Sequence, residues 1–303
     1  MNPGPANPIV RRCWRLALCI ACALPCTPSA QAQDAAALRA QYAALREAWA
    51  ANPAQRPVAI DSSERPDSLH GEIRARIEQP FATLSAAVQG SAHWCEILFL
   101  HLNVQQCHAT PAPPPAAENL VMTVGSRYDQ APADAYRFDF SYRTVAARPD
   151  YLHVLLEADE GPFGTSKYRI LLEALALDGG HSFVHLSYSY SYGFAGRLAM
   201  QTYLATLGRG KLGFSIAGRN ADDQPEYLGG ARGVVERNAM RYYLAVEAYL
   251  GALALPPAAQ IDKRLADWYA GIERYPLQLH DLERGEYLAL KREQMRRQQA
   301  AGG

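Results

Sequence analysis

Between Leu69 and Tyr192 the chain alternates apolar and polar residues again and again. A period of two repeated over several segments admits little besides an antiparallel sheet with one dry face and one wet one. Leu69, Gly71, Ile73, Ala75 and Ile77 alternate with His70, Glu72, Arg74, Arg76 and Glu78. Tyr136, Phe138, Phe140 and Tyr142 alternate in the same way with Arg137, Asp139, Ser141 and Arg143. Further strands are expected at Val58–Ile60, Leu98–Val104, Leu120–Val124, Leu152–Glu157, Tyr168–Ala174 and Val184–Tyr192, with residues 61–67 as a turn-rich link. The connections at Glu160–Gly164 and Asp178–Gly180 are too short for crossovers, so these strands read as hairpins.

Helical periodicity brackets this series. Asp34 precedes Leu38, Tyr42, Leu45 and Trp49, spaced four, three and four apart, which predicts a capped amphipathic helix ending at Asn52-Pro53. Two short helices are expected at Pro80–Gly90 and around Trp94, and another from Phe194 to Leu207. A small hairpin should follow between Lys211 and Gly230. Val235, Ala239, Tyr242, Val246, Tyr249 and Leu253 then mark the longest helix of the chain. Pro256-Pro257 closes it, and the tail carries an amphipathic helix (Ile261, Leu265, Trp268, Ile272) and a polar one after Pro276.

The order of strand, two small helices, antiparallel strands and long C-terminal helix resembles the START-like (SRPBCC, helix-grip) superfamily. Leu69–Ile77, Pro80–Trp94 and Val235–Leu253 carry the resemblance, which spans roughly residues 56–255. It implies an α+β fold, a curved antiparallel sheet wrapped on the long helix, with residues 33–55 as an added N-terminal helix and 256–303 as a C-terminal helical extension. It also implies a cavity between sheet and helix that holds an apolar or amphipathic small molecule.

The first 32 residues have the order of a secretory signal. Arg11, Arg12 and Arg15 precede the uncharged run Leu16–Leu24, and Ala30 and Ala32 occupy the cleavage positions. The run is too short for the ~20 residues of a membrane span. None of Cys19, Cys22 or Cys26 combines a preceding small residue with a Leu three positions back, so lipid attachment is the minor alternative. Cleavage after Ala32 would leave 271 of 303 residues and shift 30 basic against 30 acidic side chains to a net charge of −3. A nearly neutral chain without charge blocks argues against non-specific nucleic-acid binding. The expected location is the periplasm or the medium.

Only Cys95 and Cys107 remain outside that segment, and an even pair in an oxidising compartment reads as a disulfide. Twelve residues of extended chain would hold them ~40 Å apart, so the chain must reverse between them. Zinc held by His93, Cys95, His101, Cys107 and His108 is the competing reading, but no two-plus-two spacing supports it. No metal or cofactor is expected.

The candidate ligand-binding residues are aromatic: Tyr136, Phe138, Phe140 and Tyr142 on one strand face, Tyr188, Tyr190 and Tyr192 on another, and Tyr242 and Tyr249 on the long helix. Rings bury area while each hydroxyl can orient one polar group of a lipid-like ligand. The alternative is ordinary core packing with hydroxyls at the rim. Glu157, Asp159 and Glu160 read as a solvated turn, and Arg137, Arg143, Lys167, Arg169 and Glu173 as cross-strand charge pairing on the wet face. His185 alternates with Val184 and Leu186 and should face away from the tyrosine wall. No nucleophile elbow or phosphate loop is present. The leading expectation is therefore a non-enzymatic carrier or sequestering protein, with an enzyme in the same cavity, or an envelope interaction module using the C-terminal helices, as alternatives.

Overall fold

The computed structural model describes Met1 and residues 30–51, 56–110, 118–128, 130–206 and 208–302. The expected signal core, the end of the first helix and most of the Pro-rich loop lie outside the described residues. In chain order the elements are α1 (Ala30–Ala51), β1 (Val58–Arg65), β2 (Ser68–Ile77), α2 (Phe81–Ala87), α3 (Ser91–Leu98), β3 (Val104–Thr110) and β4 (Glu118–Val124). Then come β5 (Tyr136–Arg148), β6 (Tyr151–Glu160), β7 (Thr165–Ala176), β8 (Ser182–Tyr192) and α4 (Phe194–Ala205). The chain ends with β9 (Ile216–Arg219), β10 (Pro225–Tyr227), α5 (Gly230–Gly251), α6 (Pro257–Ile272), α7 (Pro276–Leu279) and α8 (Arg284–Gly302).

The main sheet has eight antiparallel strands in the order β1-β2-β8-β7-β6-β5-β4-β3, and β9 and β10 form a separate ribbon. Its inner face carries the alternating apolar residues, among them Ile73, Leu186, Leu172, Leu156 and Leu120, all buried. Against them lies α5, with Val235, Ala239, Tyr242, Val246 and Tyr249 buried at the predicted spacing. The contact is close at Gly71, where a Cβ would stand 3.0 Å from the Val235 carbonyl oxygen. Glycine is what lets helix and strand backbones meet there.

Some expectations need correction. Leu98–Val104 is not a strand: α3 runs on to Leu98, and β3 begins only at Val104. The run is mostly apolar and almost wholly buried, and a short stretch of that kind does not reveal its period. Residues 61–65 belong to β1, which pairs with β2 from Val58↔Ala75 to Arg65↔Ser68, so only Pro66 and Asp67 turn. Asp34 lies inside α1 rather than capping it, since the helix already starts at Ala30.

The C-terminal tail is part of the body. Tyr287 and Lys291 of α8 are fully buried. The Tyr287 hydroxyl donates to the Leu100 carbonyl at 2.8 Å, and the Lys291 ammonium donates to the Val104 carbonyl at 2.6 Å. Gln298 both accepts from the Cys107 N–H at 3.0 Å and donates to the Cys107 carbonyl at 2.9 Å, serving as a partner for the free side of the edge strand β3. Cys95 and Cys107 form a disulfide, Cα atoms 5.2 Å apart, tying α3 to the same edge. A loop of this length contributes roughly 2–3 kcal/mol in the chain-entropy description. Zinc is thereby excluded at these two cysteines. No helix among the described residues is long and apolar enough to cross a membrane.

Candidate ligand-binding site

On the inner face the aromatic residues form a continuous file. Phe138 and Tyr168 meet at 4.9 Å between ring centroids, Tyr168 stacks on Tyr190 at 5.1 Å, and Tyr168 and Tyr188 lie 6.3 Å apart. Tyr188 then reaches Tyr242 of α5 at 5.3 Å, and Tyr242 reaches His101 at 5.3 Å. The sheet supplies one wall and the helix the other, because positions 188, 190 and 168 share the inward parity and 242 lies on the inward stripe of α5.

The hydroxyls divide into two kinds. That of Tyr142 accepts from the Gly90 N–H at 2.7 Å and pairs with the Thr144 hydroxyl, that of Tyr168 donates to Thr165 Oγ1 at 2.8 Å, and that of Tyr249 meets His93 Nδ1 at 2.5 Å. Those of Tyr188, Tyr190 and Tyr242 have no hydrogen-bond partner among the described residues, although all three side chains are buried. Burial raises the pKa of each and pushes that of Tyr168 up to about 12, so all four stay protonated and able to donate.

The file opens outward where two strands part. Ser141↔Glu157 is the last pair between β5 and β6. Beyond it residues 136–140 pair only with β4, and Ala158 and Glu160 only with β7. A groove of about 860 Å³ fills the gap. Its lining mixes inward residues (Leu120, Phe140, Ala158, Tyr168) with outward ones (Asp139, Lys167), so it joins the surface to one end of the aromatic file. A second groove, of about 430 Å³, lies beside α8, is lined mainly by polar side chains such as Gln105, Gln130 and Gln294, and includes none of the expected residues.

Of the expected residues, Phe138, Phe140, Tyr188, Tyr190 and Tyr242 stand in or beside the file. Tyr136 sits at its rim, 36% exposed, against Phe138. Tyr142 is buried but committed to Gly90 and Thr144. Tyr249 points to α3, with the Arg264 guanidinium 4.1 Å over its ring. Tyr168 was not among the expected residues, though its inward parity with Ile170 and Leu172 signals it. His101 is buried, and its Nδ1 accepts from the Asn103 N–H at 3.2 Å. His93, by contrast, pairs with Tyr249, and His108 is exposed.

His185 does face away: on the outer surface its Nδ1 meets Glu173 and its Nε2 meets Glu72, each at 2.9 Å. Arg143 pairs with Glu157 at 2.6 Å across β5 and β6, as charge pairing on the wet face requires. Among the described residues no group of three or more His, Cys, Asp or Glu side chains is placed to hold a metal ion.

No protein-family model matches the sequence, and no curated protein matches it. Among solved structures the chain is similar to the Zhui aromatase/cyclase from Streptomyces sp. R1128, at 9% identity over 67% of this chain and 94% of that one, with a TM-score of 0.34. It is also similar to human StAR-related lipid transfer protein 5, at 8% identity over 57% of this chain and 90% of that one, TM-score 0.32. The lipid transfer and protein localization domain of human StarD13 follows at 10% identity over 48% and 76%, TM-score 0.31. Likeness at these TM-scores carries no further argument. The strand order β2-β8-β7-β6-β5-β4-β3, with α5 laid across the inner face, makes an α+β fold in which an antiparallel sheet packs on a long helix.

Proposed function

We propose that this chain binds a small apolar or amphipathic molecule between the sheet and α5, for carriage or sequestration outside the cytoplasm. One observation carries the reading: the rings of Tyr188, Tyr190 and Tyr242 gather on the inner face, and their hydroxyls make no hydrogen bond among the described residues. None of the three oxygens is an enclosed, unpartnered atom, so each borders space in which a guest's polar group could meet it. Aromatic walls give such a guest its affinity, at ~25 cal/mol per Å² of apolar area removed from water before ordering costs. The groove between β5 and β6 gives it a way in. The Arg-led, uncharged N-terminal run and the Cys95–Cys107 disulfide support an oxidising compartment outside the cytoplasm.

Native mass spectrometry of the chain purified without detergent tests this. The expected spectrum shows a mature form beginning at Gln33 with an added mass of a small organic molecule, released on denaturation. A bare chain that also fails to bind the apolar dye N-phenyl-1-naphthylamine contradicts it.

A further inference from the structure

Beside the groove the chain shows large apolar side chains to water. Phe163, in the turn between β6 and β7, is 64% exposed, and Phe194 and Leu198 of α4 are 85% and 54% exposed. Single exposed apolar residues are ordinary, but these stand on elements that touch. A Cβ on Gly164 would lie 3.9 Å from the Ala195 methyl, and one on Gly196 would lie 3.5 Å from the Phe163 carbonyl oxygen. The same turn rests on the aromatic file: a Cβ on Gly161 would fall 2.3 Å from the Tyr168 ring, and Thr165 accepts the Tyr168 hydroxyl. Phe163 also holds a left-handed backbone, φ 58° and ψ 30°, which bulky side chains rarely adopt. Strain of that kind marks places where a side chain has a task, and here it leaves a phenyl ring in water.

The outer side of α4 continues the apolar surface. Phe194, Leu198 and Thr202 repeat every four residues and are exposed, and Thr206 follows at the helix end. Both threonines turn their hydroxyls back on the backbone: Thr202 donates to the Leu198 carbonyl at 2.9 Å and Thr206 to the Thr202 carbonyl at 2.7 Å. The stripe is therefore poor in free polar groups. The charge around it has one sign, since neither residues 161–172 nor residues 193–221 contain an acidic side chain. Lys167, Arg197 and Arg209 are exposed and make no ion pair among the described residues, whereas Lys211 and Arg219 are spent on Asp281 and Asp223. Arg197 gives Nη2 to the Pro66 carbonyl, which leaves its charge uncompensated. Projecting rings beside unpaired cations match the boundary between acyl chains and anionic head groups, where rings enter the apolar side and cations meet phosphates.

We infer that α4 and the β6–β7 turn dock on the surface of an anionic lipid bilayer, with Phe163, Phe194 and Leu198 entering the head-group boundary and Lys167, Arg197 and Arg209 meeting phosphates. The docking stands apart from the ligand-binding reading. Only its use, passing an apolar guest between the bilayer and the adjoining groove, rests on that reading.

Flotation of the full chain with vesicles tests it, one set of phosphatidylcholine alone and one of equal parts phosphatidylcholine and phosphatidylglycerol. The unaltered chain should partition onto the mixed set roughly tenfold or more above phosphatidylcholine alone, a preference that fades as salt rises. Phe163→Asn removes the ring but keeps a residue that accepts the left-handed backbone. Combined with Leu198→Gln, it should lower partition roughly tenfold or more. Arg197→Gln with Arg209→Gln should remove most of the preference for phosphatidylglycerol. All four positions are exposed, so melting temperatures and binding of N-phenyl-1-naphthylamine without vesicles should hold. A chain that binds the dye but does not float overturns the docking and leaves the ligand-binding reading standing; one that floats but binds no dye does the reverse. Equal flotation with both sets, flotation untouched by the ring variants, or self-association that Phe194→Ser dissolves, each overturns the bilayer.

Discussion

The two faces of the sheet each hold a polar cluster, and they are built on opposite terms. On the outer face His185 lies between Glu72 and Glu173, Tyr151 donates to Glu173 at 2.6 Å, and Arg74 joins Glu72 at 2.6 Å and Gln41 of α1 at 2.7 Å. Each of these side chains has a partner within the chain. On the inner face the hydroxyls of Tyr188, Tyr190 and Tyr242 make no hydrogen bond among the described residues. The first cluster fixes α1 and the strands, although His153 opposite Glu173 keeps both ring nitrogens enclosed without a partner. On the proposed reading the second is completed by a guest.

Breaking the outer cluster should have the largest effect. His185→Ala removes the cation between two carboxylates and leaves them facing each other, at a cost of about 3 kcal/mol in urea unfolding. The pH dependence follows from the same groups. Burial opposes it, yet the hydrogen bonds to Glu173 and Glu72 raise the pKa of His185 above 6.5. Those bonds, again against burial, lower both carboxylates below 4.5. The histidine contribution is whole below pH 6.5 and is lost as pH rises through the raised value; the carboxylate contribution is whole above pH 4.5 and is lost as pH falls through the lowered ones. Stability from this cluster is therefore greatest between about pH 4.5 and 6.5, and His185→Gln should flatten the decline on the alkaline side in a series of urea melts.

Tyr151→Phe deletes one outer hydroxyl and should cost about 1–2 kcal/mol, because Glu173 loses a donor. The smallest effect sharpens the contrast most. Tyr188→Phe and Tyr242→Phe delete inner hydroxyls that bond nothing, so without ligand their melting temperatures should match or slightly exceed that of the unaltered chain. A loss of 1 kcal/mol or more in either would mean that the inner hydroxyls have partners after all.

The sheet was legible from the alternation alone, since β2, β5, β7 and β8 each carry apolar residues on the inward parity and mostly polar ones on the other. The disulfide was legible from cysteine arithmetic. Hidden were features that depend on distant residues meeting. Nothing around Leu98–Val104 distinguishes a helix end from a strand when almost every residue is buried. The tail looks polar after Pro276, and only the fold reveals that Tyr287, Lys291 and Gln298 serve the backbone of α3 and β3. The aromatic candidates were named by strand parity, which separated inner from outer rings but could not tell Tyr142 and Tyr249, whose hydroxyls are spent, from Tyr188 and Tyr242, whose hydroxyls are free. The burial of Arg237 and His101 escaped because it is a property of three-dimensional neighbours.

The contrast between the faces can be read directly with tyrosine labelled at its ring carbons, titrated with N-phenyl-1-naphthylamine and followed by NMR. Resonances of Tyr188, Tyr190 and Tyr242 should shift and saturate at one dye per chain while that of Tyr151 stays in place. Stationary inner resonances, or a response at Tyr151 instead, would contradict a guest between the sheet and α5.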